Sequence, residues 1–359
     1  MKIQICAAFA ILTQKKRRKT GAPGFDKRDK WYIINMDCYM RARRAERICK
    51  MAKMTSIGGQ ALIEGIMMRG PEVSAMAVRN TSGEIILEKC ETKGKDRPKF
   101  CKLPFVRGLF NMYDSLTFGY KCLMRSAELS GLDEEENKKK EGKAPSAWDK
   151  LFEKLLMPIA TVLAVVLAFA LFFYLPMQLW KWIAGNSGAA DSYFLRACFE
   201  GVLRIIIFIA YVWATSLMKD IRRTYMYHGA EHKTIFCYEA GLPLTVENVR
   251  VQKRLHPRCG TSFLILVLIV GIIVSMFIRI DYLPLRMAVK LLTLPIVVGV
   301  GYELIKLAGR KNNWITRIIS APGMALQRIT TREPDDSMIE CAIAAMEKVI
   351  PADGESDRW

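Results

Sequence analysis

Residues 155–180 read LLMPIATVLAVVLAFALFFYLPMQLW, twenty-six positions without a charged side chain. A hydrocarbon core of ~30 Å takes about 20 helical residues, so this stretch is long and apolar enough to cross one. Three more apolar segments follow at 202–218, 262–280 and 285–307. A soluble protein would hide four such helices only inside a large polar shell. A chain of 359 residues, 51% of them hydrophobic, does not supply that shell. The expected fold is a membrane α-helical domain of about four transmembrane helices, joined to a small cytoplasmic α+β domain with a β-hairpin.

Loop charge orients the spans. Residues 184–192 carry one charge, Asp191, whereas residues 219–261 carry eight Lys/Arg against four Asp/Glu. Positive loops stay inside. The 219–261 loop and both termini are therefore expected on the cytoplasmic side of a multi-pass cell-membrane protein. Arg196, Glu200, Arg204, Lys290 and Glu303 lie near or within the spans and are expected to face other helices or to snorkel.

The net charge of +19 invites a nucleic-acid reading, but its distribution argues otherwise. Residues 1–53 hold 15 Lys/Arg against 4 Asp/Glu, and the remaining 306 residues hold 39 against 31. More than half of the excess sits in a leader that contains Lys15-Lys16-Arg17-Arg18-Lys19 and an apolar run too short to span. The leader reads as a lipid-touching basic tail, a nucleic-acid arm, or upstream sequence translated from an early start. The last is preferred, because Met51 and Met54 stand just before the first ordered segment. No nucleic-acid partner is expected. Ten cysteines without a CxxC pair argue against a secreted disulfide scaffold, a four-cysteine zinc ribbon and thioredoxin chemistry.

The cytoplasmic domain is expected over 54–132. Residues 73–78 and 84–88 flank Asn80-Thr81-Ser82-Gly83 and read as the hairpin. The glycine-rich segment 57–71 fits neither the P-loop nor the dinucleotide pattern. It is read as tight turns within the small sheet, with Met67-Met68 in the core. Glu64 and Arg69, between the glycines, leave a functional role open. Residues 104–129 form an amphipathic helix with Leu109, Met112, Tyr113, Leu116 and Tyr120 on one stripe. That stripe either covers the sheet or lies on the membrane surface. A charged linker follows at 133–150, then the membrane domain at 151–310. The tail, 311–359, carries an amphipathic helix at about 336–349.

All three histidines of the chain, His228, His232 and His256, fall in the 219–261 loop. His228 and His232 stand at i and i+4, on one helical face and within joint reach of a metal ion. With Glu231 they form the H-x-x-E-H arrangement of inverted zinc metallopeptidases, in which the Glu serves as general base. The bland alternative is a pair of helix-end histidines bonded near lipid headgroups. His256-Pro257-Arg258-Cys259 precedes the third span, and topology puts it at the same membrane face. His256 and Cys259 suit zinc, and Arg258 would lower the thiol pKa if close. Four ligands would make a closed structural site, and three would leave a position open for chemistry. Glu239 and Glu303 are further candidate ligands, Glu303 having the plainer role of pairing with Lys290 or Lys306.

Three motifs, residues 58–71, His228-Gly229-Ala230-Glu231-His232-Lys233 and residues 256–263, resemble those of the YqhQ family. These are bacterial membrane proteins built around a domain of unknown function. The resemblance runs from about Thr55 to the C-terminus and leaves out residues 1–53. It implies a metal-dependent enzyme, and it supplies neither reaction nor substrate.

The leading expectation is a polytopic metalloprotein of hydrolase type, with zinc or a similar divalent metal on His228 and His232, completed by His256 or Cys259. Its surroundings would be the lipid bilayer, its substrate a membrane-protein segment, a peptide or a lipid headgroup, and it could be oligomeric. The rival is a non-catalytic scaffold or assembly factor whose metal site is a structural staple. A lesser rival is a transporter with Glu303, Lys290 and Arg204 as an intramembrane relay.

Overall fold

The computed structural model describes residues 54–90, 98–131, 147–185, 192–310 and 313–351. The basic leader, most of the charged linker and Asp191 lie outside the described residues.

Four strands, β1 (Gly58–Leu62), β2 (Gly65–Arg69), β3 (Ser74–Arg79) and β4 (Ile85–Cys90), pair in sequence order as an antiparallel meander. The expected hairpin is β3–β4, with Arg79 opposite Ile85 and Gly83 at φ +87° in its turn. Asn80 Oδ1 accepts from the Glu84 N–H at 2.9 Å and closes that turn. The glycine-rich segment holds two strands as well as a turn, for β1 and β2 form a hairpin of their own around Ile63-Glu64.

Side chains alternate across a strand, so adjacent methionines part company. Met67 packs with Leu62, Met76 and Cys122 on one face. Met68 packs with Ile66, Ala75 and Ala77 on the other. Both faces are covered, which is why β3 is buried from Ser74 to Val78.

One cover is α1 (Val106–Ser130), ended by Gly131 at φ +71°. Its buried face is made of small residues, Gly108, Gly119, Cys122, Ser126 and Ser130. The stripe read from periodicity does not cover the sheet: Tyr113, Leu116 and Tyr120 are each more than 60% exposed. Small residues win the sheet face because they let the helix backbone come close. Gly119 has no room for a Cβ against Gln60 of β1.

The other face carries the fourth and the last of the described helices that follow α1 in the chain. Those helices are, in order, α2 (Ala147–Phe169), α3 (Leu175–Ala184), α4 (Tyr193–Thr215), α5 (Lys219–Glu239), α6 (Val246–Arg250), α7 (Gly260–Ser275), α8 (Leu283–Arg310), α9 (Trp314–Thr330) and α10 (Asp336–Glu347). A π-helical turn, Ala170–Tyr174, joins α2 to α3. The expected tail helix is α10. It sits deep in the sheet core, with Met338, Ile339, Cys341, Ala342, Ala345 and Met346 fully buried beside Tyr227 and Ala230 of α5.

Three helical stretches among the described residues are long and apolar enough to cross a membrane: Pro158–Ala184, Tyr193–Thr215 and Pro284–Gly309. The expectation was about four. The remaining segment is α7, whose 16 residues reach about 24 Å against a ~30 Å core. It starts at an N-cap, Cys259, and stops at Met276. Val162, Leu163, Val166, Leu291 and Leu292 point outward and are exposed, an exterior that water would not favour.

Candidate metal centre

The centre is built on α5. Its His228-Gly229-Ala230-Glu231-His232-Lys233 run is helical because nothing in it breaks a helix except Gly229, and that glycine is required. A Cβ there would collide with the Arg332 carbonyl, which approaches in the extended segment after α9. The Arg332 N–H in turn donates to the Tyr225 carbonyl at 2.8 Å.

The two imidazoles meet edge to face at 4.4 Å between ring centroids, neighbours on one helical face through their i, i+4 spacing. Each donates from Nδ1 to a backbone carbonyl: His228 to Thr330 at 2.9 Å, His232 to Arg254 at 2.6 Å. A carbonyl only accepts, so the proton must sit on Nδ1 in both rings. Both Nδ1 atoms are thereby taken up, and the Nε2 atoms point elsewhere. His228 Nε2 lies 3.1 Å from Cys259 Sγ. His232 Nε2 is buried and has no hydrogen-bond partner.

Among the described residues, His228, His232 and Cys259 bring one ligand atom each within 4.8 Å of the others. Cys259 comes from the other end of the loop, as the N-cap of α7. Burial raises a thiol pKa, yet the His228 and His232 imidazoles beside it hold Cys259 well below its usual range. His228 is correspondingly lifted to about 9, because the Cys259 thiolate outweighs burial. The donor set is one soft thiolate and two imidazoles, which fits zinc or a similar cation.

Glu231 lies beside this cluster and is buried, and its Oε2 also has no partner. Burial pushes its carboxyl up against the pull of His228 and His232. The Gly59 N–H donates to its carboxylate. A Cβ at Gly59 would stand 3.0 Å from Glu231 Cδ and 2.6 Å from the Met67 carbonyl. The glycine-rich segment thus reaches the site, through backbone rather than side chains. Glu64 instead bonds Arg223, and Arg69 lies over the Phe118 ring.

The other candidates are placed otherwise, although the His256 ring centroid lies 5.5 Å from that of His232. His256 is buried, tilted against the Phe236 ring at 4.7 Å between centroids, with its Nε2 3.8 Å from Glu239. It is not in the three-ligand group. Glu239 ion-pairs with Arg258 and accepts from the Thr55 N–H at 2.9 Å. Burial is overcome there by His256 and Arg258, which keep the Glu239 carboxyl below its ordinary value. Arg258 therefore faces Glu239, and the imidazoles act on Cys259. Glu303 pairs with Arg107 of α1, Nε to Oε1 at 2.7 Å, well away from the cluster. Lys290 pairs with Glu200 at 2.8 Å.

Gln327 of α9 is a supporting residue that periodicity could not single out. Its amide accepts from the His256 N–H and donates to the His256 carbonyl, both at 2.7 Å. This clamp is fully buried and fixes the turn that delivers Cys259. Lys233, the last residue of the motif, caps the Arg250 carbonyl at 2.8 Å and pairs with Glu333.

No solved structure matches this chain. The profile of the family "Protein of unknown function (DUF1385)" matches residues 103–352. The chain is 32% identical over 305 residues to the "Uncharacterized protein YqhQ" of Bacillus subtilis (strain 168), covering 84% of this chain and 94% of that protein. Extent and identity together settle membership: the chain belongs to the YqhQ family, the proteins that carry the DUF1385 domain.

Proposed function

We propose that this chain is a multi-pass cell-membrane metalloprotein with a hydrolase-like site at the cytoplasmic face. One observation carries the reading: two buried acceptors without partners, His232 Nε2 and Glu231 Oε2, stand beside His228 Nε2 and Cys259 Sγ. A buried polar atom left unbonded is costly, and a bound cation removes that cost for the imidazole. His228, His232 and Cys259 would hold a divalent cation, zinc above others, which supplies Lewis acidity at the position a three-ligand set leaves open.

Glu231 is the general base. Its Oε2 accepts the proton of a nucleophilic water, and the Gly59 N–H steadies the carboxylate while it does so. Thr330 and Arg254 carbonyls keep both imidazoles in the ligating tautomer. The substrate is a membrane-protein segment, a peptide or a lipid headgroup.

Topology supports four crossings. The sheet precedes the first apolar helix, α5 follows the second, and α10 follows α8, yet sheet, α5 and α10 share one core. Only an even number of crossings between each pair keeps them on one side. If α8 crosses, short α7 must cross too, with local thinning of the bilayer to match it. Loop charge makes that side cytoplasmic.

The scaffold reading has one observation in its favour: the three ligands tie α5 to the start of α7, so a bound ion would staple two elements. Zinc-loaded wild type and Glu231→Gln, offered peptide and phosphoester substrates, separate the two. We expect turnover by wild type, none by Glu231→Gln, and equal metal in both. No turnover by either, with an unfolding temperature that drops on metal removal, would favour the staple.

A further inference from the structure

Away from the histidines, a second polar cluster lies among the apolar helices. Glu200 of α4 is its centre and is buried. Lys290 Nζ stands 2.8 Å from Glu200 Oε2, Arg204 Nη2 3.1 Å from the same oxygen, and Arg286 Nη2 3.9 Å from Oε1. Three cations therefore share one carboxylate. The neighbouring pair, Arg196 and Asp281 at 3.1 Å, is already neutral and does not redress the balance. Among the described residues the cluster carries two positive charges in excess. Such an excess inside an apolar layer is costly, and a bound anion would offset it.

The cluster is not sealed. A cavity of about 330 Å³ opens beside it, walled by Phe169, Phe173, Gly271 and Leu294, with Arg204 and Lys290 among its lining. That volume is in the range of small-ligand sites. The π-helical turn Ala170–Tyr174 shapes one wall and turns the Phe172 carbonyl toward Arg204, whose Nε donates to it at 2.8 Å. Turns of this kind gather at functional sites. Arg204 also lies over the Phe173 ring at 5.3 Å, so its guanidinium is held in place before any ligand arrives. The site thus combines fixed cations with largely apolar walls. Arginine and lysine together suit a phosphate, and the chamber suits an acyl chain.

We propose that the cavity between α2, α4, α7 and α8 binds one anionic phospholipid, its phosphate on Arg204 and Lys290 and an acyl chain within the chamber. This inference rests on the membrane reading and is independent of the metal reading. It gives the intramembrane charges a ligand-holding role in place of a relay.

The test is native mass spectrometry of the purified full chain in detergent with phosphatidylglycerol, phosphatidylcholine or inorganic phosphate added. Two variants act on different parts. Lys290→Gln removes a cation. Gly271→Leu fills the chamber without touching charge, and a Cβ at that position meets nothing closer than Val297 at 3.8 Å. We expect one retained phosphatidylglycerol per chain, at least tenfold weaker retention of phosphatidylcholine, and a tenfold or greater loss in each variant. Equal retention of both lipids, displacement by inorganic phosphate alone, or wild-type retention by Gly271→Leu would overturn the proposal. Should Lys290→Gln fail to fold, Gly271→Leu still decides it. Carbonate extraction of membranes tests insertion separately, so failure of the lipid site and failure of the membrane reading are distinguishable.

Discussion

The ring orientation of His228 and His232 is set by atoms outside their own helix. The Thr330 and Arg254 carbonyls take the Nδ1 protons, which points His228 Nε2 at Cys259 Sγ and leaves His232 Nε2 without a partner. Gln327 acts one step further out, by holding the His256 backbone. Gln327→Leu would strand a buried N–H and a buried C=O, each worth about 1–3 kcal/mol. We expect a lower unfolding temperature together with a metal affinity reduced ~10–100-fold. Isothermal titration with zinc, beside thermal melts, measures both. Gly59 has the opposite problem, too little room. Gly59→Ala pushes a methyl against the Met67 carbonyl and the Glu231 carboxyl. Overpacking of this kind costs about 1–3 kcal/mol, and the melt should record it while Gly58→Ala, whose Cβ meets nothing, should not.

Among the elements, α10 does most to brace α5. Its buried face fills the space between β2, β3 and α5, and Met338 is fully enclosed. Met338→Ala should destabilise the fold by about 2–5 kcal/mol, read as an earlier thermal transition, whereas Glu347→Ala on the exposed side should be neutral. Elements were legible in proportion to local signal. The β3–β4 hairpin carries its own turn chemistry at Asn80 and Gly83, and α10 its own apolar period. What periodicity could not supply is which partner a face meets. The stripe of α1 was visible, but its outward direction depends on Gly119 and Cys122 drawing the opposite side to the sheet. The α9 helix lies in the tail beyond the long apolar runs, and its one local start signal is the capping box at Asn313 and Thr316.

For the whole chain, long apolar runs make the helical architecture legible in the sequence. The centre was legible in part for the same reason. His228 and His232 follow from i, i+4 spacing, and Cys259 from the two loop ends returning to one place. The fates of Glu239 and Glu303 were not, because each is decided by an arginine distant in sequence, Arg258 and Arg107. Nor could spacing place the His256 ring, which lies against Phe236 and Glu239. The account predicts one three-ligand centre per chain. The most direct test is elemental analysis of the purified full-length protein beside His232→Ala and Cys259→Ser. It predicts about one equivalent of zinc or a similar divalent metal in the wild type and a large loss in both variants. A wild type without metal, or variants that keep a full equivalent, would contradict it.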